Sequence, residues 1–381
     1  MKLVIDLTIV TKIDKITGIE RVAIETLKSV LKDGSEFFEI YILCSKTASE
    51  YIKGIVNSLD FDKKEIYIYN SPVKNRIFTD QIWLPYIIKK IAPKYVYYTT
   101  LGIPLIQMFP FSVIIHDVVA WVMPETISKG MKYYYKPLIK FSIKNKKLKN
   151  IITVSEFSRK SVMKELKVKE EKITVNYLGI ADNFIKTKKD INKKEILKKY
   201  NIKSKYLILL GTLEPRKNIQ GAIEAFSLLK EKYNYEGNLV VVGRVGWMKN
   251  LNIKPTISSS IIFTGFVDDE DLPIILSEST AFIFPSFYEG FGLPLIEAMS
   301  LGIPVICSNI DSLTEVGGNA CVYFDPYSIE DMAETIYSTV NNHKKMEEIS
   351  LLCKSRAKIF SWEKHGRIVI DNILKGVENG K

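Results

Sequence analysis

Residues 285–298 read Pro285-Ser286-Phe287-Tyr288-Glu289-Gly290-Phe291-Gly292-Leu293-Pro294-Leu295-Ile296-Glu297-Ala298. The apolar run before them, residues 281–284, reads as a buried strand. A helix starts near Pro294, a residue suited to a first helical position. The stretch is therefore the turn of a strand–loop–helix unit. Gly290 and Gly292 take side chains out of the loop where backbone amides must approach a phosphate. Glu289 stands in the loop and Glu297 about one turn inside the helix, with seven residues between them. Carboxylates so placed bind paired hydroxyls; the plain alternative is one capping and one solvated glutamate.

The same unit recurs along the chain. Apolar runs at residues 3–7, 39–43, 66–69, 95–98, 113–116, 151–154 and 173–176 alternate with amphipathic helical stretches. A Lys-rich interval at 185–205 follows, with a helical piece at 191–200. The second series lies at 206–210, 239–242, 261–264, 281–284, 305–307 and 322–324. Such alternation implies right-handed crossover units and mainly parallel sheets. Two series imply two doubly wound α/β domains, in keeping with a length of 381 residues, more than one core usually serves.

In open parallel sheets ligands bind beyond the carboxyl ends of the strands, so chemistry is sought in the loops there. Gly211-Thr212-Leu213-Glu214-Pro215-Arg216-Lys217-Asn218 precedes a helix whose apolar face is Ile219, Ala222, Ile223, Phe226 and Leu229. Asn218 is placed as its N-cap. Arg216 and Lys217 beside a helix N-terminus make a seat for a diphosphate. Gly243-Arg244-Val245-Gly246-Trp247 admits a close ligand and equally a plain turn. The loop Gly265-Phe266-Val267 offers backbone groups to a base ring, and the acids at 268–271 mark a helix start.

Composition narrows the class. The chain is 46% hydrophobic and 25% charged, which excludes disordered, collagenous and coiled-coil readings. Four cysteines without a CxxC, and only three histidines, argue against a zinc site or disulfide framework and for a reducing compartment. The N-terminal MKLVIDLTIV reads as a first strand, not a signal peptide. Residues 95–115 carry no formal charge, but Gly102, Pro104 and Pro110 interrupt them. Two buried strands around a proline loop are expected there, not a membrane span.

The net charge of +11 is lopsided: residues 101–200 hold 21 Lys+Arg against 9 Asp+Glu, and residues 251–350 hold 3 against 15. A chain that coats nucleic acid is more often basic throughout. Residues 127–150 hold eight lysines and no acid. Lys129, Lys132, Lys136, Lys140, Lys144 and Lys147 recur at helical spacing, with Tyr133, Tyr134, Tyr135 and Phe141 among them. That stripe fits a solvated helix face, and it fits a surface for anionic lipid headgroups through Lys129–Lys149.

Glu289 and Glu297 at this spacing resemble the paired-glutamate motif of the retaining nucleotide-sugar glycosyltransferases of family 4, which have the GT-B fold. GTLEPRKN, VVGRVGW, FTGFV, FYEGFGLPLIEAM, GIPVICSN and Glu315-Val316-Gly317-Gly318 occur in family order across residues 206–325. In the first half, Gly18-Ile19-Glu20-Arg21 resembles the family's glycine loop, although many relatives have a double glycine where this chain has Thr17-Gly18. His116-Asp117 resembles the acceptor-side histidine segment. Val154-Ser155-Glu156-Phe157-Ser158, Asn176-Tyr177-Leu178-Gly179 and Phe360-Ser361-Trp362-Glu363 also look like family segments.

The resemblance implies two Rossmann-like domains, 1–185 for the acceptor and 186–362 for the nucleotide sugar, facing a central cleft. Residues 363–381 would form a helix returning to the first domain. It implies that Arg216 and Lys217 clamp the diphosphate, Glu297 binds ribose hydroxyls and Glu289 those of the transferred sugar. Gly18, Gly211, Gly243, Phe266, Val267, Gly290, Phe291, Gly292 and Leu293 would line the donor. His116 and Asp117 would lie on the acceptor side, His116 positioning rather than acting as a base.

No metal or other cofactor is expected, and Asp60-Phe61-Asp62, which spells DxD, reads as loop charge before a strand. The motif variants look most like bacterial mannosyltransferases using GDP-mannose, with UDP-sugars the main alternative. The implied acceptor is a lipid-linked oligosaccharide of a surface polysaccharide, and the implied place the cytoplasm, peripheral on the inner membrane face. A UDP-sugar 2-epimerase shares the cleft but lacks the Arg216, Lys217 and paired-glutamate combination. A nucleic-acid binder rests only on the basic pI.

Overall fold

Every apolar run read above as a strand is one. The computed structural model describes residues 1–11, 13, 16–59, 65–127, 130–185, 192–203, 205–244 and 251–378. The first series gives β1 (Lys2–Leu7), β2 (Glu39–Cys44), β3 (Ile66–Asn70), β4 (Tyr95–Tyr98), β5 (Phe111–Ile115), β6 (Leu148–Thr153) and β7 (Ile173–Val175). The second gives β8 (Tyr206–Leu210), β9 (Asn238–Val242), β10 (Ile261–Gly265), β11 (Ala281–Phe284), β12 (Val305–Ser308) and β13 (Val322–Phe324). They form a seven-stranded sheet of order β3-β2-β1-β4-β5-β6-β7 and a six-stranded sheet of order β10-β9-β8-β11-β12-β13. Every pairing among the described residues is parallel. Helices cover both faces of such sheets, so central strands such as Leu207, Ile208 and Leu209 of β8 are buried and read as unbroken apolar runs.

The chain divides into two compact units, Met1–Gly179 with Ser361–Lys381, and Ile180–Phe360. These limits fall a few residues from 185 and 362. The short helix Asp182–Ile185 packs on the helix Leu293–Leu301 of the second unit, which removes it from the first.

The C-terminal helix Trp362–Glu378 packs along the helix Gly18–Gly34 within the first unit. The helices approach so closely that a Cβ on Gly366 would stand 2.3 Å from that of Ser29. Buried His365 fixes the register: Nε2 pairs with Thr26 Oγ1 at 3.0 Å and Nδ1 with the Tyr177 carbonyl at 3.1 Å. Asn176 Nδ2 donates to the His365 carbonyl at 3.0 Å. A Cβ on Gly179 would meet the Trp362 nitrogen at 2.2 Å. The 176–179 segment is thus the seat of the C-terminal helix.

The lysine-rich stretch departs from the single helix its spacing implies. A π-turn at Met131–Tyr135 leads into the helix Lys136–Ser142, and the chain then enters β6. Burial of Leu148, Ile151 and Ile152 beside β5 outweighs the lysine periodicity, which carries no burial energy. Helical spacing covers Lys132, Lys136 and Lys140; Lys144 and Lys147 follow the helix, Lys149 lies in β6, and Lys129 lies outside the described residues.

Candidate active site

A parallel sheet opens a crevice where successive connections leave in opposite directions. In the second unit that point lies between β8 and β11, and in the first between β1 and β4. After β8, Pro215–Lys217 make one 3₁₀ turn. Asn218 then adopts a left-handed φ of 51° before the helix Ile219–Tyr233. Asn218 occupies the N-cap position without a side-chain capping bond; its Nδ2 donates instead to the Pro326 carbonyl at 3.0 Å, which locks the turn. After β11 the chain runs into the helix Leu293–Leu301, which begins one residue before Pro294. The Phe287 amide donates to the Arg216 carbonyl at 2.8 Å and ties the two loops together.

Across this junction Arg216, Lys217 and Glu289 meet. Lys217 Nζ donates to Glu289 Oε1 at 2.5 Å, and Arg216 Nη1 to Oε2 at 3.3 Å. Ser286 Oγ donates to Oε1 at 2.7 Å. Arg216 Nε reaches Glu214 Oε2 at 3.1 Å and Nη1 the Tyr288 carbonyl at 3.4 Å. The Lys217 and Glu289 side chains are 11% and 10% exposed. Burial alone would raise the Glu289 carboxyl, but Lys217, Arg216 and Ser286 outweigh it and hold it below the usual range. Burial pushes the Lys217 ammonium down against the pull of Glu289. The result is a fixed carboxylate with two cations held on it, next to a helix N-terminus. Ser286 and Glu214 were not singled out from sequence, because neither residue type stands out in a loop.

The glycines divide by cause. Gly292 has φ +96°, and a Cβ on it would lie 2.9 Å from Leu313. The backbone turn into the helix therefore demands glycine there. Gly243, φ +152°, lies so close to Gly211 that a Cβ would stand 2.0 Å from the Gly211 carbonyl oxygen. The Gly211 amide donates to the Val242 carbonyl and the Gly243 amide to the Gly265 carbonyl, both at 2.9 Å. Close packing of neighbouring strand ends demands glycine at position 243. A Cβ on Gly211 would make only ordinary contact with the Lys217 stem.

Gly290, Phe291 and Leu293 share the loop and helix start with Gly292. Glu297 is buried on the helix Leu293–Leu301. Half-buried Phe266 and buried Val267 follow β10, two strands away from β8. The acids beyond them hold the helix Lys193–Lys199: Lys199 Nζ reaches Asp268 and Asp271 at 2.7 Å each. Gly246 and Trp247 lie outside the described residues.

The remaining candidates belong to the first unit. Gly18 opens the helix Gly18–Gly34, whose cap is Thr17. Thr17 Oγ1 accepts from the Glu20 amide, and Glu20 Oε2 accepts from the Thr17 amide at 2.8 Å. Thr-x-x-Glu is the sequence signature of this capping box, and it was not singled out above. His116 follows the last residue of β5. Burial, opposed by a hydrogen bond with the Thr99 backbone, lowers its imidazole to about 4, so it is neutral near pH 7. Its buried Nε2 has no hydrogen-bond partner among the described residues. Its carbonyl accepts from Ser158 Oγ at 2.9 Å, where Ser155 caps the helix Glu156–Leu166. Asp117 Oδ1 accepts from the Val119 amide at 3.0 Å and starts the short helix Val119–Val122.

At the β1/β4 junction stand residues that no local pattern announced. Arg76 Nη1 donates to Thr8 Oγ1 at 3.2 Å, and Nε pairs with Asp80 at 2.9 Å. Burial pushes the Asp80 carboxyl up to about 7 against the pull of Arg76. Among the described residues no group of three or more His, Cys, Asp or Glu could hold a metal ion. Asp60-Phe61-Asp62 lies outside them.

The model of the family described as "Glycosyl transferases group 1" matches residues 192–351, which include Arg216, Lys217, Glu289 and Glu297. O-antigen chain mannosyltransferase B of Escherichia coli is 34% identical over 253 residues, covering 65% of this chain and 66% of that protein, just short of two thirds of its length. The chain carries a group 1 glycosyltransferase domain over residues 192–351. The chain is also 29% identical to O-antigen chain mannosyltransferase RfbU of Salmonella typhimurium over 302 residues, 75% of this chain and 77% of that one. Its fold matches the crystal structure of Anabaena HepE in complex with UDP-glucose at a TM-score of 0.73 and 16% identity, over 98% of this chain and 100% of that one. At that identity the likeness shows the GT-B fold of two Rossmann-like domains. Among the described residues no helix is long and apolar enough to cross a membrane.

Proposed function

We propose that this glycosyltransferase moves mannose from GDP-mannose, with retention of configuration, to a hydroxyl of a lipid-linked oligosaccharide. The setting is surface-polysaccharide synthesis at the cytoplasmic face of the cell membrane. The observation that carries the reading is the meeting of Arg216, Lys217 and Glu289 across the β8/β11 junction. Mannose is favoured by the names of the two relatives above, both O-antigen chain mannosyltransferases.

Arg216 and Lys217 face the diphosphate, Glu297 the ribose hydroxyls and Glu289 those of the mannose. The acceptor hydroxyl attacks the anomeric carbon on the face that the diphosphate leaves. The bond from that carbon to the β-phosphate oxygen breaks, the hydroxyl proton passes to a leaving oxygen, and GDP and the mannoside result. Charge gathers on the diphosphate as it departs, so preorganised cations act on the transition state; loss of one such donor costs ~10²–10³ in rate. No metal is assigned a part, since the two cations supply the countercharge. Neutral His116 lies on the acceptor side and positions the hydroxyl.

The test is incubation with GDP-mannose and a synthetic lipid-linked oligosaccharide, read by mass spectrometry and NMR, with and without EDTA. The expected product carries one added hexose in α-linkage, formed equally well in EDTA. Transfer only from UDP-sugars would overturn the donor, and a β-linked product would overturn retention. Epimerised sugar nucleotide without acceptor would overturn transfer itself.

A further inference from the structure

Strands β5, β6 and β7 differ on their two faces. One side puts Val113, Ile151 and Ile173 into the apolar core. The other, under the helix Trp362–Glu378, carries Ser112, Asn150 and Thr174 instead. Polar groups under a helix cost free energy unless they are paired, so this row calls for an account. Part of it is structural. Buried Tyr95 and Ser112 pair through their hydroxyls at 2.6 Å, and a Cβ on Gly376 of the helix would stand 2.5 Å from Tyr95 Oη.

The rest of the row leads outward. Asn150 Nδ2 donates to Thr174 Oγ1 at 3.0 Å, and Thr174 Oγ1 donates to Asn372 Oδ1 at 3.0 Å. Asn372 Nδ2 donates to the Ile368 carbonyl at 2.7 Å. Asn150 Oδ1 is buried and has no hydrogen-bond partner among the described residues. These three side chains line a cavity of about 460 Å³, inside the range of roughly 300–1,000 Å³ usual for small-molecule sites. Its lining belongs wholly to the first unit. Asn150 is the third residue of β6, and Glu171, also in the lining, precedes β7. The cavity thus lies towards the amino ends of these strands, away from the carboxyl ends that carry His116.

The lining fits one class of ligand. The Asn150 and Asn372 amides and the Thr174 hydroxyl each donate and accept. The charged groups balance: Lys149 and Lys375 stand against Glu171 and Asp371. A net anion or a net cation meets as much repulsion as attraction there. Hydroxyls, which donate and accept at once, use the whole set. Half-buried Val175 and Ile368 add an apolar wall, which suits the C–H face of a sugar ring.

We propose that this cavity is a second carbohydrate site, apart from the reacting one, that takes a short stretch of glycan. In the transferase it would hold a distal part of the acceptor glycan while the reacting end lies at the strand ends. That last clause rests on the transferase reading; the sugar site does not.

The experiment is methyl NMR of the full chain, labelled at isoleucine and valine methyls and titrated with α-mannotriose. Ile368→Val and Val175→Ile variants assign the two signals that report on the cavity. The expected result is saturable movement of both signals in α-mannotriose, and none in inorganic phosphate or glycine at the same concentration. Asn372→Ala, and Asp371→Ala with Lys375→Ala, should each weaken the apparent affinity about tenfold. The second variant changes exposed side chains only, and an unchanged melting temperature checks that it is folded. Separate samples receive GDP and UDP.

Cavity signals that stay still in α-mannotriose, while a nucleotide moves others, would overturn the sugar site and leave the transferase reading intact. Movement by phosphate as large as that by α-mannotriose would also overturn it, leaving an anion site. So would variants that bind as tightly as wild type. A response to α-mannotriose with none to either nucleotide would support the site and count instead against the transferase reading.

Discussion

Glu289 answers two cations at once, and its own position is fixed by the Ser286 hydroxyl. Removing its charge leaves Lys217 and Arg216 as like charges in a buried site, and breaking a buried pair from one side costs about 3–5 kcal/mol. Glu289→Gln and Lys217→Gln should each lower stability by roughly 3 kcal/mol. The double variant should cost less than the sum by roughly 1–3 kcal/mol, as urea unfolding of all four proteins would measure. Additive costs would show that the two groups are not coupled. Arg216→Ala should lower kcat by ~10²–10³ with a smaller loss of stability, because its side chain is 22% exposed. The pair of cations and the two glutamates were legible because they sit in local strings around strand ends. Ser286 and Glu214 were not, since a serine or glutamate in a loop has no signature until the β8 and β11 loops are tied at Phe287 and Arg216. Arg76 and Asp80 were invisible for the same reason: the fold alone brings them to Thr8 at the end of β1.

Elements were more legible than contacts. A parallel sheet buries its strands on both faces, so each strand announced itself as an apolar run, and errors were confined to its ends. His116, expected as the last residue of a strand, lies just past β5. The lysine stretch failed for a physical reason, because its spacing competes with the buried face of β6. The turn into the helix Leu293–Leu301 is the most demanding local conformation at the site. Gly292→Ala meets both a left-handed φ and a 2.9 Å contact with Leu313. It should cost about 1–3 kcal/mol and weaken nucleotide binding, whereas Gly211→Ala, with ordinary contacts only, should change stability far less. Unfolding and nucleotide titration of the two variants would separate them; equal effects would mean that the turn is not under this constraint.

At the scale of the whole chain, the first unit carries two buried imidazoles, His116 and His365, each lowered by burial to about 4. Unfolded histidine takes up a proton near pH 6.5 while these do not until about pH 4. Their contribution is therefore complete above pH 6.5 and lost as pH falls towards 4, on the order of 3 kcal/mol each. Urea unfolding between pH 7.5 and 4.5 should show the first unit weakening over this window. A His365→Gln variant should show a shallower pH dependence, and an unchanged slope would mean that His365 is not buried neutral. Because His365 holds the C-terminal helix on Thr26 and Tyr177, release of that helix should accompany the loss.

The central claim is that the β8/β11 junction of the second unit holds a nucleoside diphosphate sugar. Thermal shift of the purified protein with GDP-mannose, GDP, UDP-glucose and UDP tests it most directly. A ligand at about 100 times its Kd adds roughly 2.7 kcal/mol, a readily seen shift. The expected result is stabilisation by GDP-mannose and GDP that disappears in Arg216→Ala and in Glu297→Ala. No shift with any nucleotide, or a shift that both substitutions leave intact, would contradict it.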